Sequence, residues 1–264
     1  MTGGRRRARL AGVLGTLSAA AITFGAGAAS AQIILHDAED ESQPYQTPQH
    51  WALELRFGPF RPNIDSEFTT GTPYKTYFGS GNHLMSQVEL DFQIFHGFGS
   101  AAVGASIGYF SQSANAFLAA DPTLRSGDKT TLLLLPLSVS AVYRFDVLAE
   151  RHRIPLIPYA KAGLDYTFWS ITDGNGNVAH WTSDDKLRAG TGQGGTPGWH
   201  AAAGMTLLLD VFDPGAAREL DSEIGVNHTH LFVEGGYYNV TGFGAKGKLR
   251  VGDTTWLGGI MFEF

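Results

Sequence analysis

The 264-residue sequence has no cysteine, and only 17% of its residues are charged. Without cysteine the chain has no disulfide, Cys-ligated zinc site, iron–sulfur cluster or thiol nucleophile, and no acylated lipoprotein anchor. After residue 31 it also lacks an uninterrupted apolar run long enough to form a transmembrane helix. What remains is 34 glycines and 12% aromatic residues, a composition that favours many short strands over packed helices.

Basic residues are scarce in the part of the chain that follows residue 31. The whole chain has 19 Lys and Arg against 25 Asp and Glu, and the first 31 residues contain four of the bases and none of the acids. Removal of that segment therefore leaves 15 bases, 25 acids and a net charge of −10. A phosphate backbone must be neutralised by Lys and Arg, so we expect no nucleic-acid partner.

Residues 1–31 have the pattern of a signal peptide. Arginines at positions 5–7 and 9 precede an uncharged stretch rich in Ala, Leu and Gly, and Ala29-Ser30-Ala31 supplies a cleavage site before Gln32. The arginines leave Sec and twin-arginine export both open. Residues 32–49 are polar and acidic and predict a flexible periplasmic lead-in, so residues 50–264 form the folded domain.

From residue 50 the chain alternates apolar and polar residues with a period of two. In one segment Val88, Leu90, Phe92 and Ile94 share a face, and residues 87, 89, 91 and 93 of the opposite face are acids and amides. Seven further segments follow the same pattern, at residues 51–57, 103–109, 133–144, 160–168, 199–207, 231–238 and 256–264.

The connections between these segments alternate in length. Long, polar connections occupy residues 61–83, 111–128, 170–198 and 239–250; shorter ones occupy 96–99, 146–153 and 212–226, the last with a brief helix at 214–220. This arrangement predicts an all-β fold, an eight-stranded antiparallel up-and-down transmembrane β-barrel of the bacterial outer membrane. Ten strands remain open if a long connection contains a hairpin. A soluble β-sandwich or lipocalin-like barrel is the alternative, because alternation alone does not say which face points inward.

The last strand, Trp256-Leu-Gly-Gly-Ile-Met-Phe-Glu-Phe264, resembles the terminal strand of bacterial outer-membrane barrels. The segments 57–65, 88–93 and 225–234 resemble those of a family of uncharacterised small outer-membrane β-barrel proteins, and the architecture is similar to OmpA-, OmpX- and OmpW-like barrels. The resemblance implies a fold and a location, and it carries no activity. It also implies that the barrel-assembly machinery reads an assembly signal formed by Trp256, Ile260, Phe262 and Phe264.

The polar face of the alternating segments predicts a charged interior. An eight-stranded barrel has a lumen just wide enough for side chains, so its inward charges must pair with each other. We expect a polar network and no wide pore, although a narrow path for ions or small or hydrophobic solutes, as in OmpW-like proteins, stays open. The predicted network comprises Glu54, Arg56, Glu89, Asp91, Arg144, Lys161, Asp165, His200, His230 and Glu234.

Two sequence patterns are relevant to a metal site or a catalytic site. His228, His230 and Glu234 share a strand face, but one short stretch offers metal donors only loosely, so we predict hydrogen bonding there and no metal or cofactor. A lipid A deacylase-like enzyme is the catalytic alternative. It needs a Ser near a His, and Ser138 and Ser140 have no His nearby in sequence, so we expect no enzyme.

The expected role is therefore structural or surface-interactive. Partners would be outer-membrane lipid and lipopolysaccharide, and the oligomeric state is not predictable from the sequence. Binding by the long loops would use aromatic residues that we expect to be exposed, namely Phe68, Tyr74, Tyr77, Phe78, Phe117 and Trp181.

Overall fold

The computed structural model describes residues 50–264, apart from positions 119–120, 122, 153, 183–188 and 246–247. The predicted signal peptide and lead-in lie outside these residues. The strands are β1 (Trp51–Phe60), β2 (His83–Gly97), β3 (Gly99–Phe117), β4 (Arg125–Arg144), β5 (Leu156–Thr172), β6 (His180–Thr182), β7 (Ala189–Thr191), β8 (Gln193–Leu208), β9 (His228–Asn239) and β10 (Thr254–Glu263). Three α-helices, α1 (Pro73–Phe78), α2 (Val147–His152) and α3 (Pro214–Ile224), and two 3-10 helices, Ile64–Glu67 and Gly242–Gly244, lie in the connections.

Eight of the strands close into a barrel in the order β1-β10-β9-β8-β5-β4-β3-β2. Every neighbouring pair is antiparallel, and β1 pairs with β10 to close the ring. The predicted eight-stranded up-and-down barrel is thereby confirmed. Strands β6 and β7 form a separate two-stranded sheet within the connection between β5 and β8, so the hairpin in this long connection adds no strand to the barrel.

The β3–β4 hairpin is longer than the sequence pattern indicates. We predicted a loop at residues 111–128, but β3 continues to Phe117 and β4 starts at Arg125. The prediction was wrong because the outward residues here are polar, as in the exposed pair Ser113 and Thr131, whose hydroxyls lie 2.7 Å apart. The alternation continues in this part of the hairpin, but the polarity of the two faces is reversed. Polar residues point outward, and the apolar residues Phe110 and Leu132 point inward and are fully buried.

The middle of the barrel is apolar outside and polar inside. Leu84, Ile94 and Leu164 on the outer face are 65%, 62% and 67% exposed, whereas Glu54 and Glu89 on the inner face are 2% and 1% exposed. In β10 the outward Trp256 is 57% exposed and the inward Met261 is completely buried. The barrel therefore presents its apolar face to its surroundings, which is the reverse of a soluble lipocalin-like barrel.

At the end that carries the long loops, the lumen contains an apolar core. Its buried members are Phe60, Ile64, Tyr74, Met85, Phe110, Leu132, Leu134, Val240, Val251 and Leu257. Residues of the loop between β1 and β2 contribute to it directly, because Ile64 and Tyr74 are 7% and 4% exposed. This core fills the lumen at the loop end of the barrel.

The helices occupy the connections. Asp213 caps the N-terminus of α3, because its carboxylate accepts hydrogen bonds from the backbone N–H groups of Gly215 and Ala216. Gly225, in the left-handed conformation, caps the C-terminus. This helix confirms the one predicted at 214–220 and extends it to Ile224. In the described part of the chain, no helix has the length and hydrophobicity to cross a membrane.

One row of inward-facing residues places three small residues between two larger ones. Reading across paired strands, Asp91 is followed by Gly104, Ser140, Gly163 and His200. A Cβ atom at position 163 would lie 2.7 Å from Cε1 of His200 and against the backbone oxygen of Val139, so only glycine leaves His200 room to reach across β5. Packing of the lumen therefore depends on glycine beside each large side chain of this row.

Gly163→Ala should destabilise the barrel, because its methyl group overlaps His200 and the β4 backbone. Overpacking of this kind costs about 1–3 kcal/mol. The matched control is Gly235→Ala, because no heavy atom lies within 4 Å of a Cβ at position 235. Urea unfolding of the two variants in detergent micelles would measure the difference, and equal stabilities would contradict the packing argument.

Candidate functional site

The centre of the lumen holds a cluster of three bases and four acids. Arg56 donates through Nη1 to Glu89 and through Nη2 to Glu234, and Arg144 donates through Nη2 to Asp91. Glu54 contacts all three bases, at 3.7 Å from Arg56 Nε, 3.1 Å from Arg144 Nη2 and 3.2 Å from Lys161 Nζ. Glu54 is therefore the shared acceptor that connects the bases.

The ion pairs cross the lumen from wall to wall. Lys161 projects from β5, which lies four strands from β1 in the eight-stranded ring and thus on the opposite wall. Its ammonium group lies 3.0 Å from Glu89 Oε1, 3.2 Å from Glu54 Oε2 and 3.5 Å from Glu234 Oε2. Since these side chains are at most 6% exposed, water does not separate the opposite walls at this level.

Strand register explains why the acids need these bases. Glu54 on β1 pairs directly with Glu89 on β2, which sets two carboxylates side by side. Like charges directly opposite on neighbouring strands repel each other. Arg56 and Lys161 offset this repulsion because each contacts both Glu54 and Glu89. Removing a base would leave buried carboxylates without compensation.

A second polar group has the connectivity of a Ser-His-Asp triad. His200 Nε2 lies 3.1 Å from Ser140 Oγ, and His200 Nδ1 lies 2.9 Å from Asp165 Oδ1. The absence of a nearby His in sequence had argued against a nucleophile–base pair, and for Ser140 that inference was wrong. Ser140, Gly163 and His200 occupy one row across β4, β5 and β8, so pairing brings together residues 60 positions apart.

The surroundings of this triad do not suit acyl transfer. All three side chains are buried, and the adjacent cavity, lined also by Arg56, has a volume of about 30 Å³. That volume accommodates about one water molecule and no ester substrate. Acyl transfer also needs N–H donors directed at the developing oxyanion, whereas Ser140 and Gly163 belong to a continuous antiparallel strand pairing. The arrangement orients His200 and fills the lumen.

A third polar group lies at the end of the barrel where β1 starts and β10 ends, which we call the terminal end. His228 Nδ1 lies 2.5 Å from Asp210 Oδ2, and His230 Nε2 lies 3.2 Å from Glu263 Oε2. Glu234, the third member of the set weighed as metal ligands, instead contacts Arg56. His228 and His230 border an open vestibule of about 360 Å³. The set therefore divides between the vestibule and the charge cluster. Among the described residues, no group of three or more His, Cys, Asp or Glu side chains is arranged so that it could hold a metal ion.

Loop residues close the opposite end. The Tyr74 hydroxyl donates to Gln112 Oε1, and Gln112 Nε2 donates to the backbone oxygen of Phe78 at 2.8 Å. Burial raises the pKa of Tyr74, which keeps its phenol protonated as a donor. The expectation that Tyr74 is exposed was therefore wrong, and Phe78 packs against the same core. Phe68 and Tyr77 are exposed, Phe117 is partly buried, and the side chain of Trp181 lies outside the described set.

Taken from end to end, the lumen has four levels. An open vestibule at the terminal end leads to the charge cluster, then to the small cavity beside His200, and then to the apolar core under the loops. The ten residues predicted to form an interior polar network all lie on the inner face, and each is at most 8% exposed. Seven of them form the charge cluster, Asp165 and His200 belong to the triad, and His230 faces the vestibule.

Comparison with known proteins finds three similar solved structures and no similar sequence. No protein-family profile and no curated sequence matches the chain. Similar solved structures are Ail, the attachment invasion locus protein of Yersinia pestis in complex with the heparin analogue sucrose octasulfate (9% identity, TM-score 0.39, 82% of this chain and 97% of that chain), and Neisserial surface protein A (12%, 0.38, 82% and 97%). A third is the N-terminal β-barrel domain of Pseudomonas aeruginosa OprF (14%, 0.32, 82% and 100%). All three are eight-stranded outer-membrane barrels.

Arg56→Met should destabilise the protein strongly. The substitution removes one of the positive charges that compensate the buried carboxylates of Glu54, Glu89 and Glu234. Breaking a buried ion pair in this way lowers the free energy of unfolding by about 3–5 kcal/mol. The control is Arg218→Met on the exposed surface of α3, where charge removal changes stability little. Urea unfolding in micelles would compare them, and equal midpoints would show that the cluster does not stabilise the barrel.

Ser140 should resist a fluorophosphonate probe in the folded protein. The probe needs more room than the cavity of about 30 Å³ beside His200 provides. In-gel fluorescence would compare the wild type with Ser140→Ala, and we expect the same background from both. Labelling that is present in the wild type and absent in Ser140→Ala would identify an accessible nucleophile and overturn the structural role assigned to this triad.

Proposed function

We propose that the protein is an outer-membrane β-barrel with a closed lumen, which serves as a rigid membrane scaffold for its surface loops. The observation that carries the proposal is the exchange of faces along the barrel. In the middle the outer face is apolar and the lumen is charged, whereas at the loop end the outer face is polar and the lumen is apolar. A barrel with its middle in lipid and its loop end in water requires this exchange.

The height of the apolar zone supports the membrane location. On β2 the outward side chains from Leu84 to Ile94 are apolar except for Ser86, and Leu84 and Ile94 are both more than 60% exposed. At the usual strand rise and tilt, this run spans about 25 Å along the barrel axis, close to the apolar band of outer-membrane barrels. Aromatic residues lie towards both ends of the zone, with Trp51 at the terminal end and Trp256 at the loop end.

The orientation follows from the connections. In outer-membrane barrels the long loops lie outside the cell and the short turns lie in the periplasm. The tight turn between β2 and β3 lies at the same end as the start of β1 at Trp51, and the long β5–β8 connection lies at the opposite end. We therefore assign the vestibule to the periplasmic side and the apolar core to the outer surface.

The filled lumen favours the function of a scaffold rather than that of a channel. Ion pairs join opposite walls at the charge cluster, and the apolar core lies across the lumen above them. An ion would have to separate buried charge pairs and then cross an apolar layer, and both steps are unfavourable. The loop end offers exposed apolar side chains for contacts, among them Phe68 and Phe243. Loops on a rigid scaffold commonly carry binding.

Depth-dependent fluorescence quenching would test the membrane assignment. In variants that retain one tryptophan each, lipids brominated close to the head group should quench Trp51 and Trp256 more than lipids brominated at the chain ends do. Trp169 is the control, because it packs against the core inside the lumen and should be quenched little. A protein that stays soluble without detergent, or equal quenching at all three positions, would overturn the assignment.

Planar-bilayer recording would test the closed lumen separately. Insertion of the purified protein should leave no steady conductance above the baseline, while a general porin inserted under the same conditions gives clear steps. Reproducible steps with the wild-type protein would favour the narrow-channel alternative, even if the quenching experiment succeeds.

A further inference from the structure

A groove runs along the outer wall of the barrel at the loop end of β4, β5 and β8. It has a volume of about 530 Å³, and its walls include Leu133 and Leu135 of β4 and Phe168 of β5. Gly195 on β8 pairs with Phe168 and forms part of the wall with no side chain. The groove is distinct from the lumen, because Leu133, Leu135 and Phe168 all belong to the outward-facing set of their strands.

Tyr166 determines the shape of the groove. A Cβ atom at position 195 would overlap the Tyr166 ring, at 2.6 Å from Cε1, so the ring lies over Gly195. Tyr166 also packs edge-on against Phe168, with ring centroids 4.9 Å apart. Glycine at position 195 thus allows two aromatic rings to form one side of a depression that a larger residue would fill.

The groove changes character from one end to the other. Towards the middle of the barrel it is lined by Leu135 and Phe168, and towards the loops it is lined by the polar side chains of Ser170, Thr191 and Gln193. The change therefore occurs where the apolar belt ends, at the level that the proposed function assigns to the membrane–water interface. An occupant must be apolar below this level and able to form hydrogen bonds above it.

The chemistry of the polar end selects among membrane lipids. Hydroxyl and amide groups bind sugar hydroxyls and amides, whereas phosphate is bound most strongly by Arg and Lys, neither of which is found among the described residues that line this groove. Aromatic rings beside such polar groups, here Tyr166 and Phe168, present an apolar face to the occupant. These features fit an acylated sugar better than a phospholipid head group.

We propose that this groove is a binding site for a glycolipid of the outer leaflet. An acyl chain lies against Leu133, Leu135 and Phe168, and the sugar contacts Ser170, Thr191 and Gln193. The proposal rests on the proposed function, because it needs the barrel in the outer membrane with its loops outward. It adds a specific lipid partner to a surface that otherwise contacts lipid without selection.

Native mass spectrometry of the full-length protein in detergent would test the site. The protein is incubated with dephosphorylated lipid A, an acylated disaccharide without phosphate, or with phosphatidylethanolamine, and the bound lipid is counted. We expect one dephosphorylated lipid A molecule to be retained in preference to phosphatidylethanolamine. Ser170→Trp, which fills the polar end of the groove, should weaken retention about tenfold, equivalent to about 1.4 kcal/mol of binding free energy.

Ser86→Trp is the matched control. Ser86 faces outward on β2, near the loop end of the opposite wall, so the same change there leaves the groove intact. Equal retention by the wild type and Ser170→Trp, or equal loss in both Trp variants, would overturn the glycolipid site. So would equal retention of phosphatidylethanolamine. Because the quenching and conductance experiments do not involve the groove, their outcomes separate a failure of this site from a failure of the scaffold proposal.

Discussion

The narrow lumen of an eight-stranded barrel is the constraint on which the rest of this structure depends. Side chains alone must fill it, and buried charges within it must be matched. The chain meets both requirements at once through register. Glycines 104 and 163 leave room for Asp91 and His200, while Glu54 gathers Arg56, Arg144 and Lys161 into one cluster. The strand register therefore determines both how the side chains pack in the lumen and how their charges are paired.

The middle and the loop end of the lumen are filled by different physical means. In the middle, the apolar outer face leaves polar residues for the interior, and ion pairs stabilise it. At the loop end the outer face is polar, so the interior is an ordinary hydrophobic core containing Phe110 and Leu132. The sequence alternates with a period of two residues in both regions. The difference is that the apolar residues point outward in the middle of the barrel and inward at the loop end.

This exchange of faces also limits what the sequence can predict. The alternation around Glu89 and Asp91 was sufficient to predict a strand, its inward face and the class of fold. The outer parts of β3 and β4 were missed because an apolar outer face had been taken as the sign of a strand. The triad was missed for another reason, since Ser140 and His200 meet only through the pairing of three strands. A register prediction from the barrel order would have brought them into one row.

The seam between β1 and β10 has a consequence for how the barrel forms. The backbone N–H groups of His50 and Trp51 both donate to the carbonyl oxygen of Phe264, and Ala52 pairs with Glu263. The first and last strands thus depend on each other for hydrogen bonds that lipid cannot supply. Because β1 and β10 are the first and last strands of the barrel, closure of the seam joins residues of very high sequence separation, and such contacts form slowly. Until the seam closes, the outer edges of β1 and β10 both carry backbone groups without hydrogen-bond partners.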